Sequence, residues 1–149
     1  MEWRGKLDAG ELEMNIFEVE RNNWWEYMEP IMENVNLSNI SVLQNNHLIF
    51  TFSNSYDGKF YKYIRCAQIL KICIENETSG NEEFAYFVPD IYKKELSKSE
   101  VDSALAYYKY GYNFDPSKLS KQYLLLIIGN DICIDILCGE VEISVNPII

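Results

Sequence analysis

The sequence predicts an α+β fold that is mostly antiparallel β, arranged as a two-layered or sandwich-like sheet, with one principal helix near residues 98–110. Two observations predict this fold. Several segments alternate apolar and polar residues and are separated by turn residues, which is typical of antiparallel strands. One segment after Ser97 has the apolar spacing of an amphipathic helix. A length of 149 residues favours one core, so residues 1–149 are predicted to form a single globular domain.

The N-terminal segment, residues 3–36, is acidic and aromatic and carries two competing patterns. Partial alternation favours a strand that runs through Phe17. Farther along, apolar residues recur at helical spacing: Trp24, Met28, Ile31, Met32 and Val35. Pro30 would have to lie in the first turn of such a helix or kink it. We therefore predict a strand followed by a short helix or an irregular segment.

The next segment is plainly β, because Leu48, Phe50 and Phe52 alternate with His47, Ile49 and Thr51. Asn45-Asn46 before it is a tight-turn signal, which predicts a hairpin between residues 40–43 and 47–53. A second turn is predicted at Asp57-Gly58, and the next strand from Phe60.

Two further strands are predicted before the helix. Residues 65–75 alternate so that Leu70, Ile72 and Ile74 share one face, as in a strand with one wet side. Residues 84–88 read as a short aromatic strand. Because Pro89 closes that strand and lacks an N–H, we expect it at the edge of a sheet.

The principal helix opens at Ser97-Lys98-Ser99-Glu100, which has the form of a capping box. An apolar stripe follows at helical spacing: Val101, Ala104, Leu105 and Tyr108. Gly111 is placed to end the helix with a left-handed cap.

The C-terminal region predicts two more strands. Residues 122–128 are apolar and uncharged, which favours a strand buried on both faces, and Gly129-Asn130-Asp131 predicts the turn after it. In the last strand the apolar residues change phase, from Ile132, Ile134 and Ile136 to Val141, Ile143 and Val145. A β-bulge or bend near Cys138-Gly139 would bring both sets to one core.

Charge excludes two classes of partner. The chain has 13 Lys and Arg against 23 Asp and Glu, and a net charge of −10. Nucleic acid and anionic membranes are bound through clustered cations, so neither is expected as a partner. A basic protein partner is favoured. Because no apolar run is long enough for a membrane span or a signal peptide, we predict a cytoplasmic protein.

No catalytic or metal motif is found in the sequence. His47 is the sole histidine and has no triad partner in a recognisable motif. The four cysteines lack metal-ligand spacing and are predicted to be reduced thiols. Two pairs of acids have the carboxyl groups that glycoside hydrolysis requires: Asp131 with Asp135, and Glu140 with Glu142. The simpler interpretation is that these acids form the solvated face of a sheet. We therefore predict a protein that is not an enzyme and that has no cofactor and no metal.

The whole chain resembles the small acidic immunity proteins of bacterial polymorphic toxin systems. The resemblance lies in the small acidic single domain, its aromatic residues, and the order of β-hairpins, helix and apolar C-terminal strands. It implies a non-catalytic protein-binding domain that neutralises a basic toxin such as a nuclease. Carboxylates would occupy phosphate sites, with aromatic side chains as desolvated anchors. The predicted binding residues are Glu18, Glu20, Trp24, Trp25, Glu26, Glu29, Glu82, Glu83 and Tyr110.

Three alternatives belong to other classes. Aromatic and acidic side chains also suit a carbohydrate-binding β-sandwich, in which rings stack on sugars. A carboxylate-pair hydrolase requires a concave pocket that holds two acids, one with a raised pKa. A structural or assembly subunit would self-associate.

Overall fold

The computed structural model describes residues 14–54, 61–76, 86–109 and 121–145. These residues form six antiparallel strands, two 3₁₀ helices and one α-helix. The strands are β1 (Glu29–Leu43), β2 (His47–Asn54), β3 (Tyr61–Asn76), β4 (Tyr86–Glu95), β5 (Tyr123–Ile128) and β6 (Ile132–Ser144). The 3₁₀ helices are Ile16–Glu18 and Arg21–Tyr27, and α1 is Lys98–Tyr107.

The sheet closes into a barrel with strand order β1-β2-β3-β6-β5-β4, and β4 pairs back onto β1. The prediction of a mostly antiparallel β fold with a helix near residues 98–110 is confirmed. The expected two-layered or sandwich-like arrangement is wrong. Closure gives every strand two neighbours, so the apolar side chains of one curved sheet face one another across the barrel interior.

Pro89 does not mark a sheet edge, because β4 lies between β1 and β5. In the β1–β4 ladder, Glu33 pairs with Asp90 and Val35 pairs with Val88. Pro89, between these two pairs, has no partner in the ladder, which leaves a gap. Asn34 lies opposite this gap with a left-handed φ of 54°. Pairing of β4 with β5 begins only at Asp90, so the missing N–H of the proline costs no ladder hydrogen bond on either side.

The described residues form two apolar cores, one on each side of the β5–β6 pair. The interior core fills the barrel and includes Phe50, Phe52, Ile64, Ile91, Leu125, Ile127, Ile134 and Ile136. The outer core lies between β5–β6 and the three helices, and includes Ile16, Trp24, Met28, Val101, Ala104, Leu124, Leu126 and Leu137. The two faces of β5 therefore both lie in apolar cores, as the uncharged run at residues 122–128 predicted.

The N-terminal prediction needs correction. The strand predicted through Phe17 is instead a 3₁₀ helix, because the Asn15 side chain accepts a hydrogen bond from the Phe17 N–H at 2.9 Å and caps this turn. The helical spacing that starts at Trp24 is divided at Met28, where the second 3₁₀ helix ends. Strand β1 then begins at Glu29, and it accommodates Pro30.

The hairpin predicted at residues 40–53 is confirmed as β1 and β2. Asn45 and Asn46 in its turn have left-handed φ values of 64° and 61°, which asparagine tolerates well. Three other predicted features lie outside the described residues: the Asp57-Gly58 turn, the Gly111 cap, and the start of the strand at Phe84.

The change of phase predicted near Cys138-Gly139 is present, but it brings only Val141 of the second set to the core, since Ile143 and Val145 are 44% and 60% exposed. Cys138 and Val141 both pack on the interior core although they are three residues apart, so the strand reverses its faces between them. Opposite, in β3, Gln68 has a left-handed φ of 54°. A Cβ at Gly139 would lie 2.3 Å from Gln68 Oε1 and 3.0 Å from Gln68 Cβ, so a larger residue here would require the Gln68 side chain to shift.

Among the described residues, no helix is both long and apolar enough to span a membrane.

Candidate functional site

The second 3₁₀ helix presents one face to the barrel and another to solvent. A 3₁₀ helix has three residues per turn, so positions i and i+3 share a face. Trp24 is buried and its face-mates Arg21 and Tyr27 are partly buried, whereas Trp25 and Glu26 are exposed. The adjacent tryptophans therefore point in different directions.

Trp24 is the inward member of the pair and is 0% exposed. Its ring centroid lies 5.2 Å from that of Phe17 and 5.4 Å from that of Tyr107, within the outer core. The prediction of Trp24 as a surface anchor is therefore wrong. It fails because the helix phase turns this side chain towards α1 and the barrel.

The acidic segment is defined here as the predicted binding residues that are exposed between residues 18 and 29: Glu18, Glu20, Trp25, Glu26 and Glu29. Trp25 is 43% exposed and its ring is tilted against that of Tyr92, with 6.3 Å between centroids. The structure thus brings five of the nine predicted binding residues to the surface of one short stretch of chain. Glu82, Glu83 and Tyr110 lie outside the described residues.

The phase of this helix is set by an ionic network that the sequence analysis did not identify. Arg21 points inward and forms ion pairs with Asp135 on β6 and with Glu75 on β3. The Tyr108 hydroxyl, just after α1, donates a hydrogen bond to the other oxygen of Asp135. The network therefore ties the second 3₁₀ helix and the end of α1 to the outer face of the barrel.

Burial perturbs the titration of this network. Asp135 is 1% exposed, and burial raises the pKa of its carboxyl above the ordinary value despite Tyr108 and Arg21. For Arg21, burial alone would lower the pKa, but the Asp135 carboxylate and other nearby groups raise it overall. Burial also raises the pKa of the Tyr108 hydroxyl, and the Asp135 charge adds to that effect.

The raised pKa of Asp135 predicts how stability depends on pH. The folded state holds this proton more tightly than the unfolded chain does, so the contribution of the group is fully present below a pH of about 4 and is lost as pH rises through the raised pKa. We expect the free energy of unfolding of the wild type, relative to that of Asp135→Asn, to fall as pH rises above about 4. Urea unfolding at a series of pH values measures this difference. A difference that grows with pH would contradict the prediction.

The carboxylate pairs considered for hydrolysis are not arranged for it in the structure. Asp131 is exposed at the β5–β6 turn, whereas Asp135 is buried and both of its oxygens are bound. Glu140 and Glu142 both pair with Arg65, at 3.1 Å and 2.8 Å. Asp135, Glu140 and Glu142 are therefore each already paired with an arginine.

The remaining candidate groups are structural. The four cysteines are free thiols, and Cys66 and Cys138 are buried in the barrel interior. Contact with Cys138 and burial raise the pKa of Cys66, which keeps it a neutral thiol. His47 lies half-buried at the start of β2. Within the described parts of the chain, no group of three or more His, Cys, Asp or Glu side chains is arranged to hold a metal ion.

Two clefts border the second 3₁₀ helix. One, of about 340 Å³, is lined by Arg21, Asn22, Trp25, Glu75, Leu126, Ile128 and Cys133. The other, of about 440 Å³, is lined by Tyr27, Glu29, Lys93, Lys94, Glu95 and Tyr123. Each cleft therefore meets the acidic segment, the first at Trp25 and the second at Glu29.

Comparison with known proteins gives a family and a fold. A protein-family model with the description "-like" matches residues 30–145, which span the barrel and α1 but not the acidic segment. No curated protein matches the chain. The chain is similar to a solved structure titled "Crystal structure of an uncharacterized protein from Neisseria gonorrhoeae", with 21% identity and a TM-score of 0.54. That likeness covers 78% of this chain and 95% of the other, and at this identity it shows the fold alone.

Proposed function

This chain belongs to the family whose model matches residues 30–145, and we propose that it uses the family's barrel to present a non-catalytic protein-binding surface. The proposed partner is a basic protein, and the proposed role is that of an immunity protein, which neutralises a toxin such as a nuclease.

One observation carries this proposal. Every exposed charged side chain between residues 18 and 29 is a carboxylate, because Arg21, the only cation there, turns inward and is bound by Asp135 and Glu75. The net charge of −10 adds a long-range field of the same sign. Such a surface attracts a cationic protein and raises its rate of association at low salt.

The mode of inhibition follows from the chemistry of a basic partner. An enzyme that acts on nucleic acid needs cations to hold phosphate groups. Carboxylates can occupy those same positions without offering a bond to cleave. The exposed Trp25 ring beside them supplies an apolar contact of the kind that is enriched at interface hot spots.

Free thiols at all four cysteines support a reducing compartment, and we propose the cytoplasm as the site of action. The proposal includes no cofactor.

Charge reversal tests the proposed surface. We expect the triple variant Glu18→Lys, Glu20→Lys and Glu26→Lys to bind the basic partner at least about tenfold more weakly than the wild type, because each reversal replaces attraction with repulsion. Partners would be captured from native lysate on the immobilised wild type with elution by stepped salt, and then compared on the variants by surface plasmon resonance.

The matched control reverses three exposed carboxylates elsewhere: Asp102→Lys, Asp131→Lys and Glu142→Lys. Both triple variants have the same net charge, so only the position of the change differs. Equal weakening by the two variants would show that net charge alone acts, and unchanged binding by the first would overturn the proposed surface.

A second candidate function is favoured by the larger cleft. Tyr27, Tyr123, Glu29 and Glu95 all line this cleft. Tyrosine rings can stack on a saccharide, and carboxylates can bind its hydroxyls. Saccharide binding of this kind would be insensitive to salt, unlike the steered protein complex. Titration with oligosaccharides at low and high ionic strength therefore separates the two functions.

A further inference from the structure

The cleft beside Trp25 has apolar walls and a charged rim. It lies between the second 3₁₀ helix and the outer face of the barrel, where Leu126 and Ile128 of β5 line its wall. The Trp25 ring lines another side, and Glu75 on β3 stands at the rim with 60% of its side chain exposed. A volume of about 340 Å³ is at the small end of the ~300–1,000 Å³ typical of ligand pockets, which suits one large side chain.

The charged groups that line the cleft are one cation, Arg21, and one carboxylate, Glu75. Arg21 is already paired with Glu75 and with Asp135, a buried carboxyl that does not line the cleft. The Arg21 guanidinium also lies within hydrogen-bonding distance of the Cys133 sulfur, 3.6 Å from Nη2. The two terminal nitrogens of Arg21 are thus directed at groups of this chain, and the exposed part of the Glu75 carboxylate can accept further hydrogen bonds.

We infer that this cleft receives an arginine side chain of the basic partner. The aliphatic stem would pack along Leu126 and Ile128, and the planar guanidinium would stack on Trp25 and pair with Glu75. Arginine fits better than lysine because its flat cation can use the ring and the carboxylate at once. The inference rests on the proposed function and gives the acidic segment a specific contact at its centre.

A small arginine analogue tests the cleft without the partner. Titration of the ¹⁵N-labelled protein with N-acetyl-L-argininamide is expected to shift the Trp25 indole N–H signal in a saturable way, with a Kd on the order of 1 mM for so small a ligand. N-acetyl-L-citrullinamide has the same shape without the charge, and we expect it to bind at least about fivefold more weakly. Equal responses to the two probes, or no saturable response to the first, would overturn the inference.

A pair of matched variants identifies the carboxylate. Glu75→Gln is expected to weaken binding of the arginine probe about fivefold, because a charged acceptor at the rim is lost. Glu142→Gln is the control, since Glu142 has a similar exposure of 56% and also pairs with an arginine, but lies away from the cleft. The same spectra report whether each variant is folded. An unchanged affinity in Glu75→Gln, or an equal loss in both variants, would contradict the inference.

The outcomes for the cleft and for the proposed function are distinguishable. If charge reversal of the acidic segment abolishes partner binding while the arginine probe fails to bind, only the cleft inference falls. If the probe binds as expected while charge reversal leaves partner binding unchanged, the proposed function falls. In that second case the cleft still binds a guanidinium group, but its assignment to an arginine of the basic partner is also overturned.

Discussion

Replacing Trp24 with alanine is expected to lower the free energy of unfolding by about 3 to 5 kcal/mol, the range typical of truncating a large buried aromatic side chain. The ring is 0% exposed and packs against Phe17 and Tyr107. Its removal would leave a void between the second 3₁₀ helix and α1, where neighbouring side chains are held by the barrel and can collapse only in part. Urea unfolding followed by circular dichroism measures the loss.

The adjacent Trp25 is the matched control for this prediction. Its ring is 43% exposed, so Trp25→Ala is expected to cost less than about 1 kcal/mol of stability, as is usual for surface positions. We expect Trp25→Ala also to weaken binding of the proposed partner. Trp24→Ala would affect that binding only indirectly, by destabilising the fold. Equal losses of stability in the two alanine variants would contradict the assignment of inward and outward faces.

Replacing Glu100 with alanine is expected to cost about 3 kcal/mol, because it removes one partner of a buried ion pair. Glu100 is 1% exposed, and its carboxylate accepts hydrogen bonds from Lys94 Nζ at 2.8 Å and from the Ser97 N–H at 3.1 Å. It also accepts from the Ile16 N–H at 3.3 Å. Alanine would leave the Lys94 ammonium without this carboxylate, open the capping box of α1 and release the first 3₁₀ helix. Denaturant unfolding measures the loss.

Two variants divide this effect into its parts. Ser97→Ala removes only the other half of the capping box and is expected to cost about 1 kcal/mol. Glu100→Gln keeps an acceptor oxygen but removes the charge, so we expect a loss intermediate between those of Ser97→Ala and Glu100→Ala. A Glu100→Ala loss no larger than that of Ser97→Ala would show that the buried ion pair adds nothing beyond the cap.

Much of the local structure was predictable because it depends on neighbouring residues. Alternation around Phe50, the asparagine turn after β1 and the capping box at Ser97 each specify an element within a few positions. Closure of the barrel was not predictable in this way. Alternation tells which residues share a face, but pairing of β1 with β4 joins residues that are 49 positions apart at Leu37–Tyr86 and 64 apart at Glu29–Lys93, and no local pattern encodes it. Pro89 led to a wrong prediction because the gap in pairing at this residue involves the neighbouring strand β1, which the sequence around the proline does not reveal.

The candidate site was predictable only where it depends on the local sequence. A dense run of carboxylates is solvated in almost any fold, so the exposure of Glu18, Glu20 and Glu26 followed from composition. Which tryptophan points inward depends on Arg21, whose partner Asp135 lies 114 positions away. One signal was present in the sequence: Asp135 is a lone acid between Ile134 and Ile136, in a strand expected to face a core. A buried acid of that kind requires a cation, and Arg21 meets this need.

The strand order has a consequence for how the protein acquires its fold. Strand β6 follows the other five strands in the chain, yet it lies between β3 and β5. Until β6 is inserted, β3 and β5 lack a partner on one side, and the apolar residues destined for the interior are accessible to other chains. Pairing over such long sequence separations slows folding. The rate-limiting event is therefore expected to be the docking of β6, and a nascent chain that lacks it is an open sheet prone to aggregation.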